Sequence, residues 1–229
     1  MSPVKVLVTG ANRGIGLAFV KAFADAGCKV VATVRDLKNA NDLQNIKDVL
    51  ILELDCGSQE SIQNFVKNWQ MEPLDLLINN AGVFEPENLN HDTMHHVFQV
   101  NSGILLLFIL VAPLMIFQKL LPRLELSSQP KVINITSRVG SIADNGSGHY
   151  IAYRSSKTAL NMITKTLSID FPKISFLALH PGHVQTRMVG FTGHLTPEES
   201  VARMINVIND LTLENSGSFM HCDGHVLPW

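Results

Sequence analysis

Val4-Lys5-Val6-Leu7-Val8-Thr9-Gly10-Ala11-Asn12-Arg13-Gly14-Ile15-Gly16 decides how this chain folds. Its first half is apolar and rich in β-branched residues. From Gly14 onward Ile15, Phe19, Ala22 and Phe23 recur at helical spacing, and the run ends at Gly27. The period thus changes from buried strand to helix across one glycine-rich turn. A phosphate-binding loop needs that context. Glycines let the backbone approach a pyrophosphate, and the start of the helix offers unpaired N–H groups and partial positive charge. A tight turn alone would also explain the glycines, but the position directly after a first strand favours a nucleotide.

The same alternation continues outward from this stretch. Strands are expected at Lys29–Val34, Val49–Leu54, Leu74–Ile78, Val132–Thr136 and Ile174–Leu179, with a short one at Gly217–Met220. Helices are expected at Gln59–Trp69 behind Ser58 as N-cap, from about Asp92 to Leu120, and at Ala152–Asp170. A further helix, Pro197–Leu211, is introduced by Thr196, with Glu198 and Glu199 in its first turn. Near-continuous apolar strands separated by helices imply an α/β fold: a doubly wound, mostly parallel sheet of about seven strands with helices on both faces. No Pro/Gly/Ser-rich linker and no repeat interrupts it, so residues 1–229 are expected to form a single domain. Ligands of such sheets bind outside the carboxyl ends of the strands.

Composition narrows the classes. Apolar residues make up 46% of the chain and charged residues 17%, the net charge is −2, and there is no polybasic block. Nucleic-acid binding, which needs clustered Lys and Arg, has no support. Cys28, Cys56 and Cys222 form no close-spaced pattern, so reduced thiols in a cytoplasmic protein are expected rather than disulfides or zinc. No secretory signal is read ahead of Val4. The longest apolar run, Ile104 to Phe117, is 14 residues with Pro113 inside it. A bilayer span wants about 20, so a core or subunit-interface helix is expected, with no membrane and with assembly into a homodimer or homotetramer.

Tyr153-Arg154-Ser155-Ser156-Lys157 carries the chemistry. Four residues apart on a helix, Tyr153 and Lys157 share one face. An ammonium beside a phenol favours the phenolate and lowers a pKa that is ordinarily about 10. With the glycine turn, this reads as a nicotinamide-dependent carbonyl/alcohol oxidoreductase. An acidic residue ending the second strand would hold a ribose 2′-hydroxyl; Val34 stands there, followed by Arg35, and Arg13 lies in the glycine turn. Two guanidinium groups suit a 2′-phosphate, so NADPH is favoured over NADH, although Asp36 beside Arg35 blurs the case. Asn79-Asn80-Ala81-Gly82 follows the fourth strand, where small residues let adenosine lie against the backbone. Asp55, after the third strand, is either an acceptor for the adenine amino group or a turn aspartate. Ser137 ends the fifth strand and could hold a substrate carbonyl. Asn101 is either a structural hydrogen-bonding residue or part of a water-lined proton path.

Thr9-Gly10-x-x-x-Gly14-x-Gly16, Asn79-Asn80-Ala81-Gly82, Asn101, Ser137, Tyr153-x-x-x-Lys157 and Pro181-Gly182 together resemble the short-chain dehydrogenase/reductase family, in order and over essentially the whole chain. The ending Gly217-Ser218-Phe219 to Asp223-Gly224-His225-Val226-Leu227-Pro228-Trp229 is similar to its C-factor and sniffer-type carbonyl reductase branch. The resemblance implies a Rossmann-type NAD(P)-binding domain acting on a small-molecule carbonyl. It implies that Tyr153 protonates the carbonyl oxygen as hydride arrives, that Lys157 tunes Tyr153 and binds the nicotinamide ribose, that Ser137 orients the carbonyl, and that Asn101 holds a relay water. For the dinucleotide it implies Gly10, Asn12, Arg13, Gly14, Ile15, Gly16, Arg35, Asp55, Cys56, Asn80, Ala81 and Gly82, together with Asn101, Tyr153 and Lys157. Pro181, Gly182, Val184 and Thr186 would complete that lining.

Two departures stand out. Sixteen positions separate Ser137 from Tyr153, longer than in many relatives, which makes Ser141 a competitor. The segment Met188 to Pro197 is short for one that closes over substrate, so an open site is expected, lined from Phe84, Val139, His149, Tyr150, His183 and Phe191. Tyr150 meets Arg154 rather than a lysine four residues on and is not taken as the catalytic phenol. No metal is expected: His91, His95 and His96 read as a helical face, and His221-x-Asp223-x-His225 as a turn despite its metal-like composition. Two other readings remain, an NAD-linked alcohol or hydroxysteroid dehydrogenase and an NADP(H)-binding redox sensor without turnover.

Overall fold

The computed structural model describes residues 3–69, 73–84, 92, 96, 97, 100, 104, 105, 108, 109 and 112–229. The opening stretch forms β1 (Lys5–Val8) and α1 (Gly14–Asp25), joined by the glycine turn. Then come β2 (Lys29–Val34), β3 (Val49–Glu53), α2 (Gln59–Asn68) and β4 (Leu76–Asn79). A short pair, β5 (Ile104–Leu105) and β6 (Phe108–Ile109), precedes α3 (Ala112–Leu124) and β7 (Lys131–Ile135). The chain ends with α4 (Ile151–Asp170), β8 (Ser175–His180), α5 (Pro197–Asn209) and β9 (Ser218–His221).

Seven strands form one sheet in the order β3-β2-β1-β4-β7-β8-β9. Every neighbouring pair in it is parallel, in registers such as Val8↔Ala32, Val8↔Ile78 and Asn79↔Asn134. A parallel sheet must be covered on both faces, and two apolar layers do so. Phe19 and Phe23 of α1 and Val201, Met204 and Ile208 of α5 pack on one face. Ile62 and Phe65 of α2, Met115, Phe117 and Leu120 of α3 and Leu167 of α4 pack on the other. Chain order reverses between β1 and β4, so their carboxyl ends diverge into a crevice where α/β folds place ligands.

Local signals explain the helix starts. The Ser58 hydroxyl accepts from Ser61 N at 3.2 Å. Thr196 and Glu199 form a reciprocal capping box: Glu199 N donates to Thr196 Oγ1 at 3.1 Å, and Thr196 N donates to Glu199 Oε2 at 2.8 Å. The expected continuous helix from Asp92 to Leu120 is corrected. The described residues Asp92, His96, Val97 and Val100 are helical, but Ile104–Leu105 then pairs antiparallel with Phe108–Ile109, and a separate helix begins at Ala112. Proline restricts the residue before it and suits the first turn of a helix; Pro113 therefore marks a start rather than an interior. Among the described residues no helix is long and apolar enough to cross a membrane.

Candidate functional site

Four adjacent strands, β1, β4, β7 and β8, deliver the site from their carboxyl ends. Gly10 has φ +64°, and a Cβ there would lie 2.9 Å from Ala81 Cα. A Cβ on Gly16 would fall on the Gly10 carbonyl oxygen and 2.6 Å from Asn80 Nδ2. The turn is thus pressed against the segment that follows β4, and only glycine fits. Asn80 Nδ2 donates to the Thr9 and Gly10 carbonyls at 2.9 and 3.1 Å, and the Thr9 hydroxyl accepts from the backbone N–H of Asn80 and Ala81 at 3.0 and 3.1 Å. No side chain caps the start of α1, which leaves its N-terminal dipole available to an anion. Thr186 lies next to this turn, its Cγ2 3.4 Å from where a Gly14 Cβ would be.

A buried polar ladder sets α4 against β4 and β7. Asn79 Nδ2 donates to Asn134 Oδ1 at 2.8 Å, and Asn134 Nδ2 to Thr164 Oγ1 at 2.8 Å. One residue beyond β7, Thr136 Oγ1 donates to Asn161 Oδ1 at 2.7 Å. Gly140 approaches α4 so closely that a Cβ would lie 2.8 Å from Lys157 Cβ. Together these contacts fix the rotation of α4 and hold Tyr153 beside Ser137, to which it is hydrogen-bonded. Lys157 is only 4% exposed; its Nζ donates to the Ile135 carbonyl at 3.0 Å and lies 5.6 Å from the centroid of the Tyr153 ring.

The expectation of an acidified Tyr153 is corrected by its surroundings in the chain. Burial pushes the phenol up to about 12, against a smaller lowering by the Ser137 hydrogen bond. Burial also pulls Lys157 down to about 8. The ammonium lies over the ring face and is spent on a backbone carbonyl, so removal of both groups from water outweighs their mutual attraction. Tyr153 therefore keeps its proton at neutral pH.

Arg154, unremarked in the sequence beyond its place in the motif, organises the approach to this cluster. Its guanidinium donates to the carbonyls of Gly148, His149 and Val139 at 2.8, 2.9 and 3.1 Å and to Ser147 Oγ at 2.9 Å. It thereby secures His149 and Tyr150, both left-handed with φ +59° and +53°, a backbone that costs about 1–3 kcal/mol per non-glycine residue. Phe84 sits edge-on to both Tyr150 and Tyr153, ring centroids 5.2 Å apart in each case.

The remaining expected residues fall as follows. Arg13 and Arg35 are exposed, and neither forms an ion pair among the described residues. Asp36 is committed locally, accepting from Lys38 N at 2.9 Å and Asn39 Nδ2 at 3.3 Å, which removes much of its competition with Arg35. Asn12 Nδ2 reaches the Asn39 carbonyl at 3.4 Å, and Ile15 packs on the core. Asp55 makes a turn, accepting from Gly57 N at 2.8 Å. Cys56 is buried, its thiol pushed up to about 12, so its side chain is inert. Ala81 and Gly82 follow Asn80 at the crevice. Pro181 is buried, and its carbonyl accepts from Ser200 Oγ at 2.7 Å; Gly182 has φ +83°, and Val184 is buried. Ser141 is engaged elsewhere, donating to the Trp229 backbone oxygen at 3.2 Å and accepting from Asp144 N at 3.0 Å. Val139 is half-buried, His149 and His183 are exposed, and Phe191 is 67% exposed. Asn101, His91 and His95 lie outside the described residues.

Sequence reasoning missed Thr9 as the clamp on Asn80, the Asn79–Asn134–Thr164 ladder, and the tie from Trp229 to Ser141. Asparagines at the ends of two neighbouring buried strands were the available signal for the ladder.

The short chain dehydrogenase family profile matches residues 4–194. The chain is 34% identical over 235 residues to a 1-hydroxy-2-glutathionyl-2-methyl-3-butene dehydrogenase of Rhodococcus sp. (strain AD45), covering 98% of this chain and 99% of that protein. It is 37% identical over 171 residues to C-signal of Myxococcus xanthus, covering 72% of this chain and 98% of that protein. Among solved structures it resembles an NADPH-bound carbonyl reductase from chicken fatty liver, with TM-score 0.90 and 33% identity over 100% of both chains. It also resembles the carbonyl reductase Sniffer of D. melanogaster, with TM-score 0.87 and 29% identity over 100% of both chains. With the matching profile spanning residues 4–194, most of its length, the chain belongs to the short chain dehydrogenase family.

Proposed function

We propose that this protein is an NADPH-dependent reductase of aldehyde, ketone or quinone-like carbonyls. The observation that carries the reading is Tyr153 hydrogen-bonded to Ser137 with a buried Lys157 over its ring, in a chain whose glycine turn leads into an uncapped helix start. The NADPH-bound chicken carbonyl reductase and Sniffer support the choice of reaction and cofactor.

Gly10, Gly14 and Gly16 admit a pyrophosphate to the start of α1, and Arg13 and Arg35 offer guanidinium donors to a 2′-phosphate. Asn12, Ile15, Asp55, Asn80, Ala81 and Gly82 line the adenosine side, with Cys56 present through its backbone only. Pro181, Gly182, Val184 and Thr186 line the nicotinamide side. When bound, NADPH supplies the hydride. Tyr153 holds its proton until the carbonyl oxygen gains charge and then donates it, and Ser137 holds that oxygen in reach. Lys157 stabilises the phenolate that this leaves and binds the nicotinamide ribose, while Asn101 holds the water that returns a proton. Phe84 and Tyr150 flank the carbonyl. On this reading the protein works as a homodimer or homotetramer of this chain in the cytoplasm.

Purified protein incubated with a panel of aldehydes, ketones and quinones should oxidise NADPH. Guanidinium contacts of this kind contribute about 1.5–3 kcal/mol, so NADPH should be preferred over NADH by roughly ten- to a hundredfold, and Arg35→Asp should reverse the preference. Equal use of NADH would contradict the cofactor assignment. Tight NADPH binding with no turnover across the panel would favour a redox sensor.

A further inference from the structure

The C-terminal edge of the sheet gathers donors that the proposed reduction does not use. His221 ends β9, and the chain then turns back on itself, with Met220 bridged antiparallel to Val226. His221 N donates to the His225 carbonyl at 2.9 Å, Gly224 N to the His221 carbonyl at 3.0 Å, and Leu227 N to the Phe219 carbonyl at 2.7 Å. This backbone holds the two imidazoles side by side, centroids 4.8 Å apart and planes within 10°. Asp223 occupies the apex. Its Oδ1 lies 2.9 Å from His221 Nδ1 and 2.6 Å from His225 Nδ1, and the donor atoms of all three residues lie within 4.8 Å of one another. Behind them, on β8, His180 is paired with His221 in register, its ring 5.1 Å away and edge-on. Its Nδ1 is buried without a hydrogen-bond partner.

We infer that His221, Asp223 and His225 form a binding site for one zinc-like divalent transition-metal ion. Two imidazole nitrogens and one carboxylate oxygen are a zinc donor set with a fourth position left for water. Tetrahedral bonds of about 2.0–2.1 Å need donors roughly 3.3 Å apart. Asp223 and His225, 44% and 58% exposed in their side chains, have room to swing to that spacing while the hydrogen-bonded backbone keeps them in place. Cys222, although 3.7 Å from His221 Nδ1, is not a ligand: its side chain is fully buried in the core. The assignment stands independently of the reductase reading, because none of these three residues has a part in it.

Isothermal titration of the purified full-length chain with zinc chloride, after chelator treatment, tests the site. One zinc per chain is expected, lost in both His225→Ala and Asp223→Ala, with the circular dichroism and NADPH-oxidising activity of the metal-free variants unchanged. Cobalt substitution should show a ligand-field spectrum without sulfur-to-metal charge transfer, a readout on the wild-type chain that does not depend on the variants folding. Absence of saturable zinc binding, binding that survives both substitutions, or a thiolate band would each overturn the assignment.

Discussion

Tyr153 shows how burial and charge compete at a single position. Burial wins there, and the phenol keeps the proton it is to donate. Lys157 is affected in the opposite sense. Its pKa is about 8 in the folded chain against 10.5 ordinarily. Between those values the unfolded chain binds a proton that the folded chain has released, so stability gained from this group rises with pH and is lost below about 8. Denaturant unfolding of nucleotide-free wild type should therefore gain on Lys157→Met between pH 8 and pH 10; parallel pH profiles would refute this. Arg154 acts through other residues. Arg154→Ala frees the carbonyls of Gly148, His149 and Val139 and lets Tyr150 move off Phe84. Lost hydrogen bonds to a charged group are worth about 1.5–3 kcal/mol, so kcat/KM for the carbonyl should fall about ten- to a hundredfold while NADPH affinity stays. Equal loss of both would mean general destabilisation instead.

Between β1 and α1, backbone proximity dominates. Gly16→Ala would drive a methyl group into the Gly10 carbonyl and the Asn80 amide, separating the glycine turn from the segment after β4. Calorimetry should show NADPH binding weakened beyond detection; retained binding would mean that the turn does not cradle the pyrophosphate. This element was legible because glycine spacing and the change of period are both local. So were the Ser58 and Thr196 caps, whose partners lie three residues away. Elements whose structure depends on distant partners were not legible. The Asn79–Asn134 bond spans 55 positions, and an asparagine near the end of each strand does not say which residue across the sheet it meets. The run from Ile104 to Phe117 is apolar throughout, so its periodicity could not separate a strand pair from a helix, and Pro113 was placed in a helix interior rather than a first turn. The upward shift of Tyr153 was equally hidden, since i,i+4 spacing reports a shared face but not where the ammonium points.

Across the whole molecule, the site depends on parts of the chain far apart in sequence. The Trp229 backbone oxygen accepts from Ala143 N at 2.9 Å and from Ser141 Oγ, and its ring stacks on Phe219 with centroids 5.5 Å apart. The chain end thus pins the loop between Ser137 and Tyr153. Removing Trp229 should lower turnover several-fold with little change in NADPH affinity; unaltered turnover would show that the tie is dispensable. The central claim, however, is that Tyr153 supplies the proton. Steady-state NADPH oxidation by Tyr153→Phe, alongside calorimetric NADPH binding, tests it most directly. A positioned proton donor contributes about 10²–10⁴-fold, so turnover should drop by that factor while binding is retained. Turnover within tenfold of wild type, with binding intact, would contradict the account.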